Sequence, residues 1–327
     1  MAQVRRFWQY RGMEDGSGRN AIPTGLGLFS VVLWGTSIAI NRLVITDIGL
    51  LRGPLISTAV SGIIGMSLVM ARRGETMKLA RLPMVYWIVC GGLFVGYTLA
   101  YNLGIGLAHN ARQVLLFGFL NYLWPALTVA FSAAIFHTRV KPWFLPGLAL
   151  AAGAIVLAFL SRPGGAEISL ARLGEELQSN PAVFALGLFC GISWALYSNL
   201  GRKIAGSSDA NPVPVLILAA SALFAVALLA GAAGPAGDLP PRWFPAALAA
   251  LGGRATLVDL AAYVFWDAAM RRGSQLLVAV ASLFTPLLST AVISIVLGEA
   301  PGALFWAACV AAIAGAGLCR FSVIGQR

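Results

Sequence analysis

Charge is what this 327-residue sequence has little of. Asp, Glu, Lys and Arg together make up 11% of it, where a soluble domain carries roughly a quarter. Hydrophobic residues make up 59% and the mean hydropathy is +0.82. A water-soluble fold is excluded, because it would need a core with almost no surface. Histidine is nearly absent: His109 and His137 are the two. No His-Glu-x-x-His, Cys-x-x-Cys or Walker loop occurs, and Gly104-Ile-Gly106 lacks the third glycine of a dinucleotide loop. The chain carries no nucleotide-binding motif, so an ATP-driven pump is excluded for this chain alone. The apolar runs hold only Asp259 and Asp267 as carboxylates, too few for a membrane enzyme with convergent acids. No catalytic residue, cofactor or metal site is expected. The four cysteines (Cys90, Cys190, Cys309 and Cys319) all fall in apolar runs and read as packing residues, not disulfides. Arg5-Arg6 resembles the start of an export signal, but no apolar run begins before about residue 22 and no small-residue cleavage site follows.

What is present is a series of apolar runs of about 20 residues, each long enough to cross a hydrocarbon core of about 30 Å as a helix. The sequence predicts an all-α integral membrane protein with ten transmembrane helices. The first five fall at roughly 24–44, 52–71, 83–105, 112–136 and 143–161. The second five fall at roughly 181–201, 212–233, 244–270, 274–298 and 301–320. Around them lie a cytoplasmic tail (1–23), an extracytoplasmic linker (162–180) and a second cytoplasmic tail (321–327). The net charge of +11 does not imply nucleic acid. With an inside N-terminus, sixteen of the 23 basic residues face the cytoplasm, six face outside, and Arg254 lies within a span. That asymmetry obeys the positive-inside rule and places both termini in the cytoplasm.

The chain repeats itself. Trp34 and Arg42 are echoed by Trp194 and Arg202, an offset of 160, and Asn121-Tyr122-Leu123-Trp124-Pro125 by Ser282-Leu283-Phe284-Thr285-Pro286, an offset of 161. Five helices per half is an odd number, so residues 24–161 and 181–320 must insert as inverted repeats. Duplicated halves with Pro-interrupted spans at matching positions point to a transporter whose site lies between the repeats. Pro125 and Pro286 fall mid-span. Each frees the carbonyl four residues earlier and kinks its helix. The freed carbonyls of Asn121 and Ser282 are expected to face a central cavity and to receive a substrate ammonium. The two prolines are expected to act as hinges.

Side chains on single helix faces give the expected cavity wall. They are Trp34, Tyr97, Tyr101, Asn121, Trp124, Trp194, Tyr197, Ser198, Tyr263, Ser282 and Thr285. Trp34, Ser37 and Asn41 also share one face, at i, i+3 and i+7. Polar groups in the bilayer prefer the protein interior or a wet cavity, and aromatic faces suit an aromatic or ammonium-bearing ligand. The competing roles are helix–helix hydrogen bonding and, for Trp266 near Arg271, an interfacial belt. Asp259 is the candidate proton-coupling residue. Arg254 stands about 140° round an α-helix from it, so no direct pair is expected, and Gly252-Gly253 marks a local helix break. Asp267 and Arg271 are expected to pair at the cytoplasmic edge, and Glu299 to cap the last helix.

Five strings together resemble the drug/metabolite transporter superfamily: Leu33-Trp34-Gly35-Thr36-Ser37, Asn121-Tyr122-Leu123-Trp124-Pro125, Trp194-Ala195-Leu196-Tyr197-Ser198-Asn199, Ala262-Tyr263-Val264-Phe265-Trp266-Asp267 and Phe284-Thr285-Pro286-Leu287-Leu288-Ser289. The Asn-Tyr-Leu-Trp-Pro string is similar to its bacterial aromatic amino acid exporter branch. The resemblance implies an inner-membrane carrier that exports aromatic, and other neutral, amino acids by alternating access, with two inverted five-helix repeats around a central cavity. Protons are a candidate coupling partner; the oligomeric state is open. Arg254 and Asp259 depart from the family pattern, as does Asp267, where family members often carry Asn. The alternative is a carrier of the same superfamily for a nucleoside, nucleotide sugar or quaternary ammonium drug. A phosphate-bearing substrate would call for several basic residues in the spans, and only Arg254 qualifies. A cation would call for a membrane carboxylate, which Asp259 supplies.

Overall fold

A computed structural model describes residues 17–109, 111–137, 139–160, 175, 178–206, 208–232, 251–297 and 303–322. The elements are helical: α1 (Ser17–Gly35), α2 (Ser37–Ile48), α3 (Arg52–Ala71), α4 (Glu75–Ala80), a π-helical segment (Tyr86–Gly91) running into α5 (Gly92–Leu107), α6 (Ala111–Asn121), α7 (Trp124–Ile135) and α8 (Phe144–Leu160). Beyond the linker come α9 (Pro181–Ala205), α10 (Val213–Leu229), a second π-helical segment (Arg254–Ala262) running into α11 (Tyr263–Arg272), α12 (Gln275–Ala281), a 3-10 turn (Ser282–Phe284), α13 (Thr285–Leu297) and α14 (Ala303–Ser322). Three of the described helices, Arg52–Ala71, Tyr86–Leu107 and Pro181–Ala205, are each long and apolar enough to cross a membrane. Large apolar side chains such as Leu68, Ile88, Leu145, Val226 and Val310 stand exposed, as lipid-facing residues do. The linker lies mostly outside the described residues, as do Glu299 and the first 16 residues.

Three of the expected spans are divided, each for a local reason. At Thr36 the amide and the side-chain hydroxyl both donate to the Leu33 carbonyl, at 3.1 and 2.7 Å, which tightens the turn between α1 and α2. Before Pro125 the turn also tightens: the Leu123 amide bonds Leu120 O at 3.2 Å, and α-helical bonding resumes with Leu127 to Leu123 O at 3.0 Å. Pro125 therefore sits in the first turn of a new helix, where its missing N–H costs little, and not at a mid-helix kink. The 3-10 turn before Pro286 divides α12 from α13 in the same way. The α1 helix is already formed at Ser17, the first described residue of this stretch, ahead of the expected 24, because hydropathy does not mark the extent of backbone hydrogen bonding.

Packing pairs elements across the two halves. The α8 helix lies along α14, α3 along α10, α5 along α9, and α1 along α11. Small residues permit the close approaches. A Cβ on Gly315 would come 2.6 Å from the Ala151 amide nitrogen, and one on Gly191 2.9 Å from the Leu120 carbonyl oxygen. Gly187 and Gly191 thus seat α9 directly on the break between α6 and α7. The largest buried cluster lies between α1, α5, α9 and α11, where the aromatic side chains meet.

Candidate functional site

Trp34 is the hub of the aromatic cluster. Its ring centroid lies 5.2 Å from Trp266, 5.3 Å from Trp194, 5.4 Å from Tyr263 and 5.8 Å from Trp124. The Trp124 and Trp194 contacts are edge-on, at 88° and 87°, an arrangement that ring quadrupoles favour. Tyr97 packs 4.8 Å from Trp194 and stacks on Tyr101 at 5.7 Å. The Tyr101 hydroxyl lies 3.2 Å from Ser37 Oγ. These rings come from α1, α5, α7, α9 and α11, so the site draws on both halves.

A buried ion pair sits beside the rings. Arg254 is 3% and Asp259 6% exposed. The Arg254 Nε donates to Asp259 Oδ2 at 3.1 Å, and Nη2 donates to Asn102 Oδ1 at 3.0 Å. Ser57 Oγ donates to the same Asp259 oxygen. The expectation that Arg254 and Asp259 stay apart is corrected here. They lie in a π-helical segment, whose i to i+5 hydrogen bonding brings residues five apart onto one face. The helix does not break at Gly252-Gly253; it widens immediately after them. Ser61 Oγ lies 2.8 Å from the Ala255 carbonyl, so α3 supports the widened turn from behind.

Between rings and ion pair lies a narrow cavity of about 20 Å³, room for about one water molecule. Of the expected wall, Trp34, Tyr97, Tyr101, Asn121, Trp124, Trp194, Tyr263 and Thr285 border it. Tyr197, Ser198 and Ser282 do not. The Tyr197 hydroxyl donates to Asp267 at 3.1 Å, Ser198 accepts from Trp266 Nε1 at 2.9 Å, and Ser282 Oγ bonds the Ala279 carbonyl at 2.7 Å. Each has a partner behind the wall. The freed carbonyls are also placed differently from expectation. The Ser282 carbonyl accepts from the Thr285 amide, and the Asn121 carbonyl faces Gly191 of α9. Asn121 borders the cavity, and its Oδ1 is buried without a partner among the described residues.

Residues not expected on the wall also border the cavity: Ser37, Asn41, Tyr122, Arg254, Val258 and Asp259. Asn41 was legible from its face shared with Trp34 and Ser37. Arg254 was not, because nothing in hydropathy marks a π-turn. Trp266 is fully buried against Trp34 and Trp124, so it is no interfacial belt residue. Asp267 and Arg271 do pair, as expected, but the pair is buried.

No family model matches the chain. Three curated relatives do: proteins named aromatic amino acid exporter YddG from Salmonella typhimurium, Escherichia coli and Ancylobacter novellus. They are 28%, 27% and 29% identical to it over 90% of this chain and 96%, 96% and 95% of theirs. The chain is similar to these exporters along nine tenths of its length. Its three long apolar helices fit a multi-pass membrane protein. The match to a crystal structure at 24% identity, covering 92% of this chain and 98% of that one with a TM-score of 0.70, shows that the fold recurs.

Proposed function

We propose that the protein exports aromatic amino acids across the bacterial inner membrane as a secondary transporter. The observation that carries the reading is the ring-walled cavity between the two halves, in a chain whose relatives are named for that activity. An apolar wall takes large side chains by dispersion and ring contacts. It separates similar ones poorly, since a missing methylene is worth only about 1–3 kcal/mol; a broad aromatic range follows. The buried ion pair argues against a cationic drug, because Asp259 already has Arg254 and Ser57 as partners.

Ten spans in two inverted repeats, residues 24–161 and 181–320, are the architecture this function needs. Two observations support it. The cross-half pairings exchange as a two-fold axis requires, with α1 on α11 answered by α9 on α5. Both third spans carry a π-helical segment, and both fourth spans are divided just before a proline. A cavity of about 20 Å³ is too small for an amino acid, so the rings must part for substrate to enter. Alternating access by bending at the breaks before Pro125 and Pro286 supplies that motion.

Uptake of a panel of labelled amino acids into proteoliposomes, with and without a proton gradient, tests the function. Saturable transport of phenylalanine, tyrosine and tryptophan is expected. Transport of nucleosides or quaternary ammonium compounds with no aromatic amino acid flux would reject it.

A further inference from the structure

We propose that Arg254 is the carboxylate-binding residue of the central site, and that the ligand is a zwitterionic α-amino acid held by its carboxylate on Nη1. This rests on the amino acid reading above and names a group in the site that recognises the backbone of the substrate. The guanidinium borders the cavity. Two of its nitrogens are taken, Nε by Asp259 and Nη2 by Asn102, but Nη1 is buried without a partner among the described residues. A buried donor on a charged group is rarely left unmade, and a guanidinium presents its nitrogens in a rigid plane suited to carboxylates. Asp259 and Asn102 fix that plane and leave one nitrogen to spare. Ser57 holds Asp259 from α3.

The charge balance fits a zwitterion. Arg254 and Asp259 cancel each other, so a neutral ligand adds no net charge to a buried site. A cation would place an uncompensated positive charge beside Arg254, and a dianion an uncompensated negative one. The ammonium also finds acceptors. Asn41 Oδ1, Asn121 Oδ1 and Thr285 Oγ1 border the same cavity and are likewise buried without partners. Asp259 acts here as a positioning residue for Arg254.

Matched ligand pairs test this on the full-length protein in nanodiscs. Equilibrium binding is measured for phenylalanine against phenylethylamine, and for leucine against isoamylamine; each amine lacks only the carboxylate. In the wild type the amino acid should bind about 10- to 100-fold tighter than its amine, the worth of a hydrogen bond to a charged group. Arg254→Gln should remove that preference. The neutral double variant Arg254→Gln/Asp259→Asn should do the same without an unpaired carboxylate, while keeping the affinity for the amine. Arg254→Lys should retain part of the preference. A wild-type preference that persists in the double variant overturns the proposal. So does equal loss of both ligands, which would make Arg254 a residue of the fold alone. A wild type that prefers neither amino acid over its amine overturns it as well. Preference within the leucine pair only, with no aromatic binding, would uphold the proposal and reject the aromatic reading.

Discussion

Trp34 makes ring contacts to four aromatic residues on three other helices, so substituting any one of those neighbours loosens the wall of the cavity. Trp124→Ala removes the edge-on contacts with Trp34 and Trp266, and Tyr101→Ala removes the stack on Tyr97 and the contact with Ser37. An aromatic pair contributes about 0.5–1.5 kcal/mol beyond its buried area, so each variant should raise the KM for aromatic substrates about threefold to tenfold. Uptake kinetics in proteoliposomes measure it, and unchanged kinetics for every aromatic substrate would remove both residues from the wall. The aromatic half of this site was legible in the sequence, because ring type and spacing on a single face survive any small change of helix geometry. The polar half was not. Arg254 and Asp259 lie about 140° apart on an α-helix and become partners only because the turn between them is π-helical. Tyr197 and Ser198 share a face with Trp194 yet bond Asp267 and Trp266, since a helix face is wide enough to serve two neighbours.

The proposed hinges belong to the scale of elements. If the breaks before Pro125 and Pro286 are the hinges proposed above, the short helices on either side swing without breaking α-helical bonds of their own. Alanine at either position restores an N–H that can bond the carbonyl four residues back and fuse the two helices. Pro125→Ala and Pro286→Ala should therefore slow turnover while binding persists, on the order of tenfold for about 1.4 kcal/mol added to the barrier. Measuring binding and flux together separates this from a static break: unchanged flux in well-folded variants would reject the hinge. The α9 helix presses on the first break through Gly191, whose Cβ would meet the Leu120 backbone oxygen at 2.9 Å. Backbone cannot shift there without moving the break itself. Gly191→Ala should destabilise by about 1–3 kcal/mol, read as a lowered Tm in detergent. Gly201→Ala, on the same helix with open space around it, should leave Tm close to the wild type. The prolines announced these breaks in the sequence. That each would open into a turn with the proline at the start of a new helix was not announced, because the tightened hydrogen bonds at Leu123 and at Thr285 depend on how neighbouring helices close over them.

For the whole molecule, hydropathy located the apolar stretches that become the described helices but neither the breaks at Thr36, Leu123 and Ser282 nor the short α4 helix, because lipid asks a segment to be helical without saying where its hydrogen bonding tightens. The pairing of halves was legible only as a repeat of tryptophan and proline motifs; the packing that joins them runs through glycines whose role depends on what stands opposite. Inverted repeats make a demand that single helices do not. If residues 24–161 and 181–320 each cross five times, the linker at 162–180 must lie outside while both termini lie inside. The charge asymmetry favours that orientation, with Arg72, Arg73 and Lys78 of the α3–α4 region on the cytoplasmic side. Cysteine labelling in intact cells with a membrane-impermeant maleimide decides it. Cys90, Cys190 and Cys319 are buried, and Cys309, partly exposed, is replaced by serine to give a silent background. Ser169→Cys in the linker should label from the periplasm. Thr76→Cys in α4, which is exposed, should label only after the cytoplasm is opened. Labelling of residue 169 only from the cytoplasm would exclude five crossings in the first half, and with them the two-fold arrangement that sets the two prolines in opposition.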